Sequence, residues 1–321
     1  MIKHRKLNLL LVILLLGSLI FTLPAMAGKP MIVAFGSGGT GGTYYVMGAA
    51  IAEIMTKDVA DIKTATSQVT AASYENVRLI QKNYVQFCLN NAASTWDGWN
   101  GLKPFKEKMD KLRTIAWGHG SDYHVVVLKD SPVKKFSDAK GKRMSVGAPG
   151  SGMEMQTRRL LGVMGLDYKD FNTEFLSISE AVGGLKDGRI DVVAMTSGMP
   201  GAALIDLANV RPMRLISLDK QLIDDMLKAH PYYDSMVIPA GTYKGVDTDI
   251  QTLTSPAVFS CRSDLPEEVV YEVVKAIHKK IPWLAKNVHR GFNRWRFDPS
   301  VQRLAPLHPG AIKYYKEMGK M

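Results

Sequence analysis

The feature of this chain that most constrains its fold is the alternation of short apolar runs with stretches of helical periodicity, which begins at residue 31. The run 31–35 has the length of a strand, and the apolar residues that follow at Met47, Ile51 and Ile54 recur at helical spacing. The alternation continues to residue 281. Parallel sheets covered by helices are built in this way, so the pattern predicts the α/β class with doubly wound sheets.

The alternation falls into two series, which predicts two lobes. The first series ends before a polar, turn-rich stretch at 129–143, and a second series starts with the apolar run 144–147. The run 256–261 returns the chain to the first lobe, where 265–281 predicts a terminal helix. The predicted strands are 31–35, 62–69, 84–89, 123–128, 144–147, 175–176, 190–195 and 256–261. The predicted lobes are residues 28–125 with 253–321, and residues 126–252.

The first residues of the chain predict export. Lys3, Arg5 and Lys6 precede the apolar run 7–23, and Ala25-Met26-Ala27 supplies the small residues of a cleavage site. A membrane anchor is the alternative, but the run is short for a bilayer span and is interrupted by polar residues. We therefore expect a secretory signal peptide at 1–27 and a mature protein in the periplasm.

Lysine and arginine outnumber aspartate and glutamate by 41 to 30, which gives a formal net charge of +11. A positive surplus attracts anionic solutes toward a cleft, although it also serves to keep proteins in solution. Nucleic acid is not expected as a partner, because the lysines are scattered along the chain and are not interleaved with aromatic residues.

The two cysteines, Cys88 and Cys261, leave two alternatives open. An oxidising compartment permits a disulfide between them, but both lie in apolar runs, where separate buried thiols are at least as common. No pair of cysteines or histidines has the spacing of a metal site; His119 and His124, five residues apart, are the nearest pair. We therefore expect no metal ion and no cofactor.

Small polar residues follow most of the predicted strands. Ligands of open parallel sheets bind outside the carboxyl ends of the strands, where these loops meet. The glycine-rich loop at 36–45 leads directly into a helix, so several backbone N–H groups can face an anion. Any one of these residues is more often an ordinary helix cap, and their convergence is the informative feature. The predicted ligand-binding residues are Gly39, Thr40, Gly41, Gly42, Thr43, Tyr44, Tyr45, Thr70, Ser73, Asn90, Asn91, Ser151, Arg158, Ser179, Thr196 and Ser197.

Arg158 is the one candidate that would add a positive charge to the site. It follows Glu154 by four residues on a predicted helix, so a surface ion pair is the simpler interpretation. In the cleft, its guanidinium group would instead bind a second carboxylate of the ligand through two hydrogen bonds.

Gly36, Gly38 and Gly41 also fit the G-x-G-x-x-G pattern of dinucleotide-binding enzymes, and Asp61 lies twenty residues farther on. In that fold the acidic residue ends the second strand, whereas Asp61 precedes the predicted strand. The sequence contains no nucleophile elbow, no zinc-binding H-E-x-x-H and no P-loop lysine. It therefore favours a binding protein over an enzyme.

Four segments of the chain resemble the TAXI group of TRAP-transporter solute receptors. These segments are residues 38–45, 141–154, 241–247 and 307–316. They occur in the same order as in that group and span nearly the whole mature chain. The resemblance implies a type II periplasmic-binding-protein fold, in which two α/β lobes joined by hinge strands close on a ligand. It also implies delivery to TRAP membrane permease subunits that use an ion gradient. We expect the receptor to be a monomer.

The chain departs from the TAXI pattern in three places. Relatives have T-G-G-S where this chain has Thr-Ala-Ala-Ser at 70–73, and positions 90–92 and 119–121 also differ. The third departure replaces a glutamate; if that glutamate contacts a ligand ammonium group in relatives, its loss favours an acid without an amino group. The predicted ligand is a small organic anion, either a dicarboxylate or keto acid such as 2-oxoglutarate, or an acidic amino acid. The alternatives are a receptor for an ABC importer or a sensor kinase, and a dinucleotide-dependent enzyme.

Overall fold

The computed structural model of the protein describes residues 30–321. The predicted signal peptide at 1–27 lies outside these residues. Among the helices of the described part, none is both long enough and apolar enough to cross a bilayer.

The chain alternates strands and helices as the apolar pattern predicts. The elements of the first series are β1 (Met31–Gly36), α1 (Thr43–Asp58), β2 (Ile62–Gln68), α2 (Ser73–Gln81), β3 (Phe87–Asn91) and α3 (Ala92–Asn100). The elements from the crossover to the second lobe are β4 (Leu112–Leu128), β5 (Arg143–Ser145), α4 (Gly152–Val163), β6 (Asn172–Glu174), α5 (Ile178–Lys186), β7 (Val192–Ser197) and α6 (Ala202–Val210). The remaining elements are β8 (Met213–Leu215), α7 (Lys220–Ala229), β9 (Asp234–Ile238), β10 (Ile250–Arg262), α8 (Glu267–Asn287) and α9 (Pro309–Glu317).

The strands form one mixed sheet in the order β2-β1-β3-β10-β4-β7-β5-β6, with β8 beside β4 and β9 beside β10. Its two halves are parallel, since β1 pairs with β2 and β3, and β5 pairs with β6 and β7. Between them, β4 and β10 have 17 and 13 residues and pair antiparallel with each other. Strands average about 5–6 residues. These two therefore continue from one lobe into the other as hinge strands.

Separate apolar cores form the two lobes. In the first, α1 packs Met47, Ile51 and Met55, each four residues apart, against the α8 residues Val270 and Val274. The helical spacing in the sequence thus marks the face that is buried. Full burial of each such side chain stabilises the fold by about 1.5–3 kcal/mol. In the second lobe, the helices cover β5 and β7 with a core of their own.

The bounds of several strands differ from those predicted. The predicted strand 175–176 is displaced, because β6 ends at Glu174 and pairs with β5 through polar residues. Phe175 instead packs edge-to-face on Tyr168, with the ring centroids 5.4 Å apart. The strand predicted at 84–89 lies later, at Phe87–Asn91. The predicted strand 123–128 is the final part of the much longer β4.

Both cysteines are buried and free. They lie on neighbouring strands, but Cys88 of β3 is directly opposite Ser260 of β10, whereas Cys261 is opposite Phe87. Cross-strand partners project from the same face of a sheet and successive residues from opposite faces. The two thiols therefore point to opposite faces, and the alternative of two separate buried thiols is the one that the structure contains.

Candidate ligand-binding site

A cavity of about 260 Å³ lies between the lobes, at the carboxyl ends of β1, β2, β5 and β7 and over the middle of β4. Its wall consists of glycines, small hydroxyl residues and apolar side chains, together with Tyr44 and His119. Over the described residues, no aspartate, glutamate, lysine or arginine lines it. Any charge on a ligand must therefore be balanced by backbone dipoles and hydroxyl groups.

Most of the predicted ligand-binding residues meet at this cavity, although they come from both lobes. Each follows a strand end, as expected for an open parallel sheet. Those that line the cavity are Gly39, Thr40, Gly42, Thr43, Tyr44, Thr70, Ser73, Ser151, Thr196 and Ser197.

Asn90 and Asn91 do not line the cavity and instead hold the interior of the first lobe together. The Asn91 side chain caps α3 by accepting a hydrogen bond from the Ser94 N–H at 2.9 Å. The Asn90 Oδ1 accepts a hydrogen bond from the Ser260 hydroxyl at 3.0 Å, and its backbone carbonyl accepts one from the Tyr44 hydroxyl at 2.7 Å. Asn90 thus positions Tyr44, which does line the cavity.

Arg158 and Tyr45 point away from the cavity. Arg158 is exposed and donates two hydrogen bonds to Glu154 Oε1, at 3.0 and 2.8 Å, while its guanidinium lies 4.8 Å from the Tyr168 ring centroid. This is the surface pair that the four-residue spacing predicts. The ligand clamp suggested for Arg158 has no support in this geometry. The Tyr45 side chain is 40% exposed.

Gly41 and Ser179 lie at the rim, where the two lobes touch. The Ser179 hydroxyl donates to the Thr40 carbonyl at 2.9 Å, and a Cβ at Gly41 would lie 2.5 Å from the Ser179 Oγ. Only glycine permits this approach. On the other side of the rim, Thr43 Oγ1 lies 3.0 Å from Ser197 Oγ and accepts from a backbone N–H of the second lobe at 2.9 Å. The two lobes thus contact each other on both sides of the rim.

Four helices begin at the cavity. In the second lobe, Ser151 and Ser177 cap α4 and α5, and their hydroxyls accept from backbone N–H groups three residues farther on, at 3.0 and 3.4 Å. In the first lobe, α1 begins after Gly42 and α2 after Ala72, and neither helix has a side-chain cap. The first N–H groups of a helix have no partner within the helix and bear partial positive charge. In the first lobe, the Tyr45 N–H donates to the Gly42 carbonyl, and the Glu75 N–H donates to the carbonyls of Ala72 and Gly150. The first two N–H groups of each helix, at 43–44 and 73–74, remain available to an anion in the cavity.

Ala72 adopts a backbone conformation that normally requires glycine. Its φ is 69° and its ψ is −163°, a region in which a Cβ costs about 1–3 kcal/mol. Asn83, with φ 62°, is the other non-glycine residue of the described chain with positive φ, and asparagine tolerates the left-handed region. Ala72 lines the cavity and occupies a position at which TAXI-like sequences have glycine. Strain is therefore stored at the start of α2.

A buried ion pair joins the lobes beside the cavity. Asp97 of α3 accepts hydrogen bonds from Arg159 of α4 and, at 2.5 Å, from the Tyr74 hydroxyl. Arg159 also donates to the hydroxyls of Tyr74 and Tyr233, at 2.9 and 3.1 Å. The Asp97 side chain is 2% exposed and that of Arg159 is 11% exposed. The sequence analysis missed this cluster, because the four residues are far apart in the chain.

The hinge strand β4 supplies the floor of the cavity through His119 and Ser121. The Ser121 Oγ lies 3.1 Å from the Tyr44 hydroxyl, and the His119 ring packs edge-on to Tyr44, with centroids 5.3 Å apart. Burial, together with positive charge from His289 and Arg294, lowers the pKa of His119 to about 3. Burial raises the pKa of Tyr44 far above its ordinary value. Both side chains are therefore neutral.

The sequence contained a partial signal for these floor residues. His119 and Ser121 lie in one of the departures from the TAXI pattern, which by itself indicates only the loss of a glutamate. Ser177 and Gly152, which also line the cavity, sit next to predicted residues at helix starts. Both residues follow shortly after a strand, and this position in the sequence predicts that they lie at the cavity.

The dinucleotide hypothesis can be checked against the position of Asp61. Its backbone carbonyl accepts a hydrogen bond from the Met31 N–H at 2.8 Å, which places it where β1 and β2 begin. The glycine-rich loop follows the opposite end of β1. Asp61 cannot reach a ribose bound at that loop. The described residues also contain no group of three His, Cys, Asp or Glu side chains that could hold a metal ion.

Comparison with known proteins identifies the fold and the family. A profile described as the NMT1-like family matches residues 35–319. The alkanesulfonate-binding protein SsuA of Xanthomonas axonopodis pv. citri bound to MOPS is 14% identical, with a TM-score of 0.51 over 89% of this chain and 83% of that one. A protein from Bordetella bronchiseptica RB50 is 18% identical, with a TM-score of 0.52 over 92% and 90%.

A further structure, XAC2383 from Xanthomonas citri bound to ATP, is 12% identical, with a TM-score of 0.50 over 89% of this chain and 98% of that one. At such identities the likeness establishes the fold alone. The predicted α/β fold of the type II periplasmic-binding-protein kind is confirmed. The narrower TAXI group is named neither by the family description nor by these structures.

Proposed function

Because the chain belongs to the NMT1-like family and has a periplasmic-binding-protein fold, we propose that it is a periplasmic solute receptor. It captures a small organic anion by closing its lobes and passes it to a membrane importer. The observation that carries this proposal is the convergence of four helix N-termini on a cavity that no acidic side chain lines.

Helix N-termini can hold an anion without a basic side chain. Each contributes typically about 0.3–1 kcal/mol, and up to ~2 kcal/mol in partly buried geometry. The uncapped starts of α1 and α2 also supply direct N–H donors, and the Ser73 hydroxyl supplies a neutral one. Thr43 and Ser197 are hydrogen-bonded to each other, so this pair has one hydroxyl hydrogen left to donate. Hydrogen bonds to a charged group are about twice as strong as neutral ones. These contacts together account for binding of one anionic group.

The charge-free wall also limits the ligand class. A second carboxylate would need a cation, and Arg158 is engaged with Glu154 outside the cavity. An ammonium group would need a carboxylate, which the lining lacks. Burial of an unpaired charge is strongly unfavourable. We therefore infer a monoanion in place of the dicarboxylate or acidic amino acid predicted from sequence. The sulfonate-binding SsuA and the ATP-bound XAC2383 are anion-binding proteins of this fold.

The cavity is poorly equipped for catalysis. Its titratable side chains are Tyr44 and His119, and their pKa values lie far from neutrality in the directions that keep both uncharged. A general acid or base works best with a pKa near the operating pH. Binding and release of an unchanged solute is the function that this site supports.

The partner importer is proposed to be of the ATP-driven ABC class. A TRAP permease was the partner expected from the TAXI resemblance, but that resemblance rests on short motifs alone. The sulfonate-binding SsuA shares the fold over most of both chains. Uptake of labelled ligand into vesicles that contain the importer would separate the two classes. Dependence on ATP supports an ABC importer, whereas loss of uptake on collapse of the ion gradient indicates a TRAP permease.

The binding proposal is tested with the mature protein in a thermal-shift screen, followed by calorimetry. The screen contains small carboxylates, small sulfonates, matched neutral amides and nucleotides. A bound anion at one hundred times its Kd stabilises the fold by about 2.7 kcal/mol. We expect stabilisation by monoanions and none by their amides. Stabilisation by the amides or by nucleotides alone would overturn the proposal.

A further inference from the structure

The floor of the cavity contains a β-bulge in the segment of β4 that includes His119. Along the pairing of the two hinge strands, β10 advances two residues, from Val258 to Pro256, while β4 advances three, from Trp117 to Gly120. The extra residue of β4 falls in the segment that contains His119, which lines the cavity. Bulges occur next to functional sites because they re-aim a side chain.

The side chain of His119 on this floor lacks a hydrogen-bond partner, since both of its ring nitrogens are buried and unpaired. The hydroxyl of Ser255, on the neighbouring strand β10, is also buried and unpaired but does not line the cavity. Ser255 lies directly opposite Ser121 in the strand pairing, so the two side chains project from the same face. Ser121 and Tyr44 are already bonded to each other. A buried polar group without a partner costs about 1–3 kcal/mol, and a bound ligand would remove that cost.

The chemistry of these groups restricts what they can bind. His119 is neutral, since burial and the nearby positive charge of His289 and Arg294 oppose its protonation. A neutral imidazole has one N–H donor and one acceptor nitrogen, and a serine hydroxyl both donates and accepts. Such groups can bind a neutral oxygen substituent. They carry no positive charge that could balance a second anionic group of the ligand.

We propose that His119 determines specificity by binding an uncharged oxygen substituent, a hydroxyl or a carbonyl, at the end of the ligand opposite its anionic group. The inference rests on the proposed function, in which the helix N-termini hold the anion. The ligand is then a hydroxy- or oxo-substituted organic monoanion. The helix N-termini of the lobes then bind the anionic group of the ligand, and the hinge strand β4 binds its oxygen substituent.

The experiment compares ligand pairs that differ only in this oxygen. Calorimetry with the mature protein uses butanoate against 3-hydroxybutanoate and 3-oxobutanoate, and ethanesulfonate against 2-hydroxyethanesulfonate. We expect the better oxygen-bearing member of each pair to bind at least about tenfold more tightly, the effect of one well-placed hydrogen bond. Equal binding within every pair overturns the inference while the proposed function stands. Absence of binding by all these anions overturns the proposed function itself.

Substitutions test which residue causes the preference for the oxygen-bearing ligand of each pair. His119→Phe keeps a ring and removes both nitrogens, so the tenfold preference should disappear while butanoate affinity changes less than threefold. His124→Gln is the matched control, because His124 is buried on the same strand, bonds Tyr243 and does not line the cavity. A preference that survives His119→Phe overturns the assignment; if His119→Phe fails to fold, His119→Gln decides it.

Discussion

The two lobes present their helix starts to the cleft in different ways. In the first lobe, α1 and α2 follow Gly42 and Ala72, neither of which has a side chain that can accept a hydrogen bond. In the second lobe, the hydroxyls of Ser151 and Ser177 accept hydrogen bonds from N–H groups at the starts of α4 and α5. The first lobe therefore leaves the first two N–H groups of α1 and of α2 for the ligand, whereas the second lobe satisfies one N–H group of each helix with a serine cap and acts mainly as a cover. This asymmetry suggests that ligand first docks on the first lobe.

The largest effect is expected at the Asp97–Arg159 ion pair, because this pair joins the two lobes. Asp97→Leu leaves the Arg159 charge buried without a partner, so we expect a loss of about 3–5 kcal/mol in the free energy of unfolding. The double variant Asp97→Leu/Arg159→Met should recover much of this loss, since no charge is then stranded. Denaturant titration measures both. Equal destabilisation by the single and double variants would contradict the account.

The asymmetry can be broken by giving the first lobe the cap that it lacks. Gly42 has φ −89° and ψ 152°, a conformation open to any residue. In Gly42→Asp, the carboxylate should cap α1 and occupy the N–H groups needed by the ligand. We expect anion affinity to fall at least ~100-fold, about 2.7 kcal/mol. A Cβ at Gly42 would lie 3.1 Å from the Gly39 carbonyl oxygen, and this tight contact offsets the stability that the cap adds.

Gly42→Asn is the matched control for this substitution, because it caps equally well without the charge. Its loss of affinity by calorimetry should be about tenfold smaller than that of Gly42→Asp. Unchanged affinity in both variants would show that the α1 start does not touch the anion.

The strained backbone at Ala72 provides a further test of how the helix starts of the two lobes differ. Ala72→Gly removes the Cβ from a conformation that disfavours it but adds backbone entropy to the unfolded chain, and we expect a net gain of about 1 kcal/mol in unfolding free energy. Asn83→Gly, at the other non-glycine residue with positive φ, should change stability by less. Thermal unfolding of the two variants tests this, and a destabilised Ala72→Gly protein would refute the strain argument.

The smallest effect is expected in the covering lobe. Ser177→Ala removes the α5 cap, whose hydrogen bond of 3.4 Å is long, and should lower the unfolding free energy by about 0.5 kcal/mol. Anion affinity should change no more than about threefold, because this lobe satisfies its own N–H groups. A larger loss of affinity than in Gly42→Asn would reverse the proposed roles of the lobes.

Much of the fold and of the cavity wall was predictable, because it depends on local patterns. The spacing of Met47, Ile51 and Met55 marks the buried face of α1, and the loops after each strand converge because parallel strands end at one edge. The length of β4 was not predictable in this way. Its first part contains Gly118 and Gly120 among polar residues, which interrupts the apolar run that would signal a buried strand.

Two of the predicted site residues lie outside the cavity lining for different reasons. Asn90 is engaged by a tertiary contact with Ser260, whereas Arg158 is engaged by Glu154 one turn earlier in the same helix, the alternative that the four-residue spacing indicated. The Asp97–Arg159 pair and the partnerless His119 depend on long-range packing between lobes. No local spacing encodes these contacts.

The hinge strands have a mechanical consequence. Because β4 and β10 are hydrogen-bonded to each other from Leu112 to Asp122 and from Thr254 to Arg262, neither can bend alone without breaking the ladder. We therefore expect the cleft to open by a shared twist of a two-stranded ribbon, with the glycine-flanked bulge beneath the cavity as its most flexible point. The part of the backbone that must yield for release is also the part that holds His119.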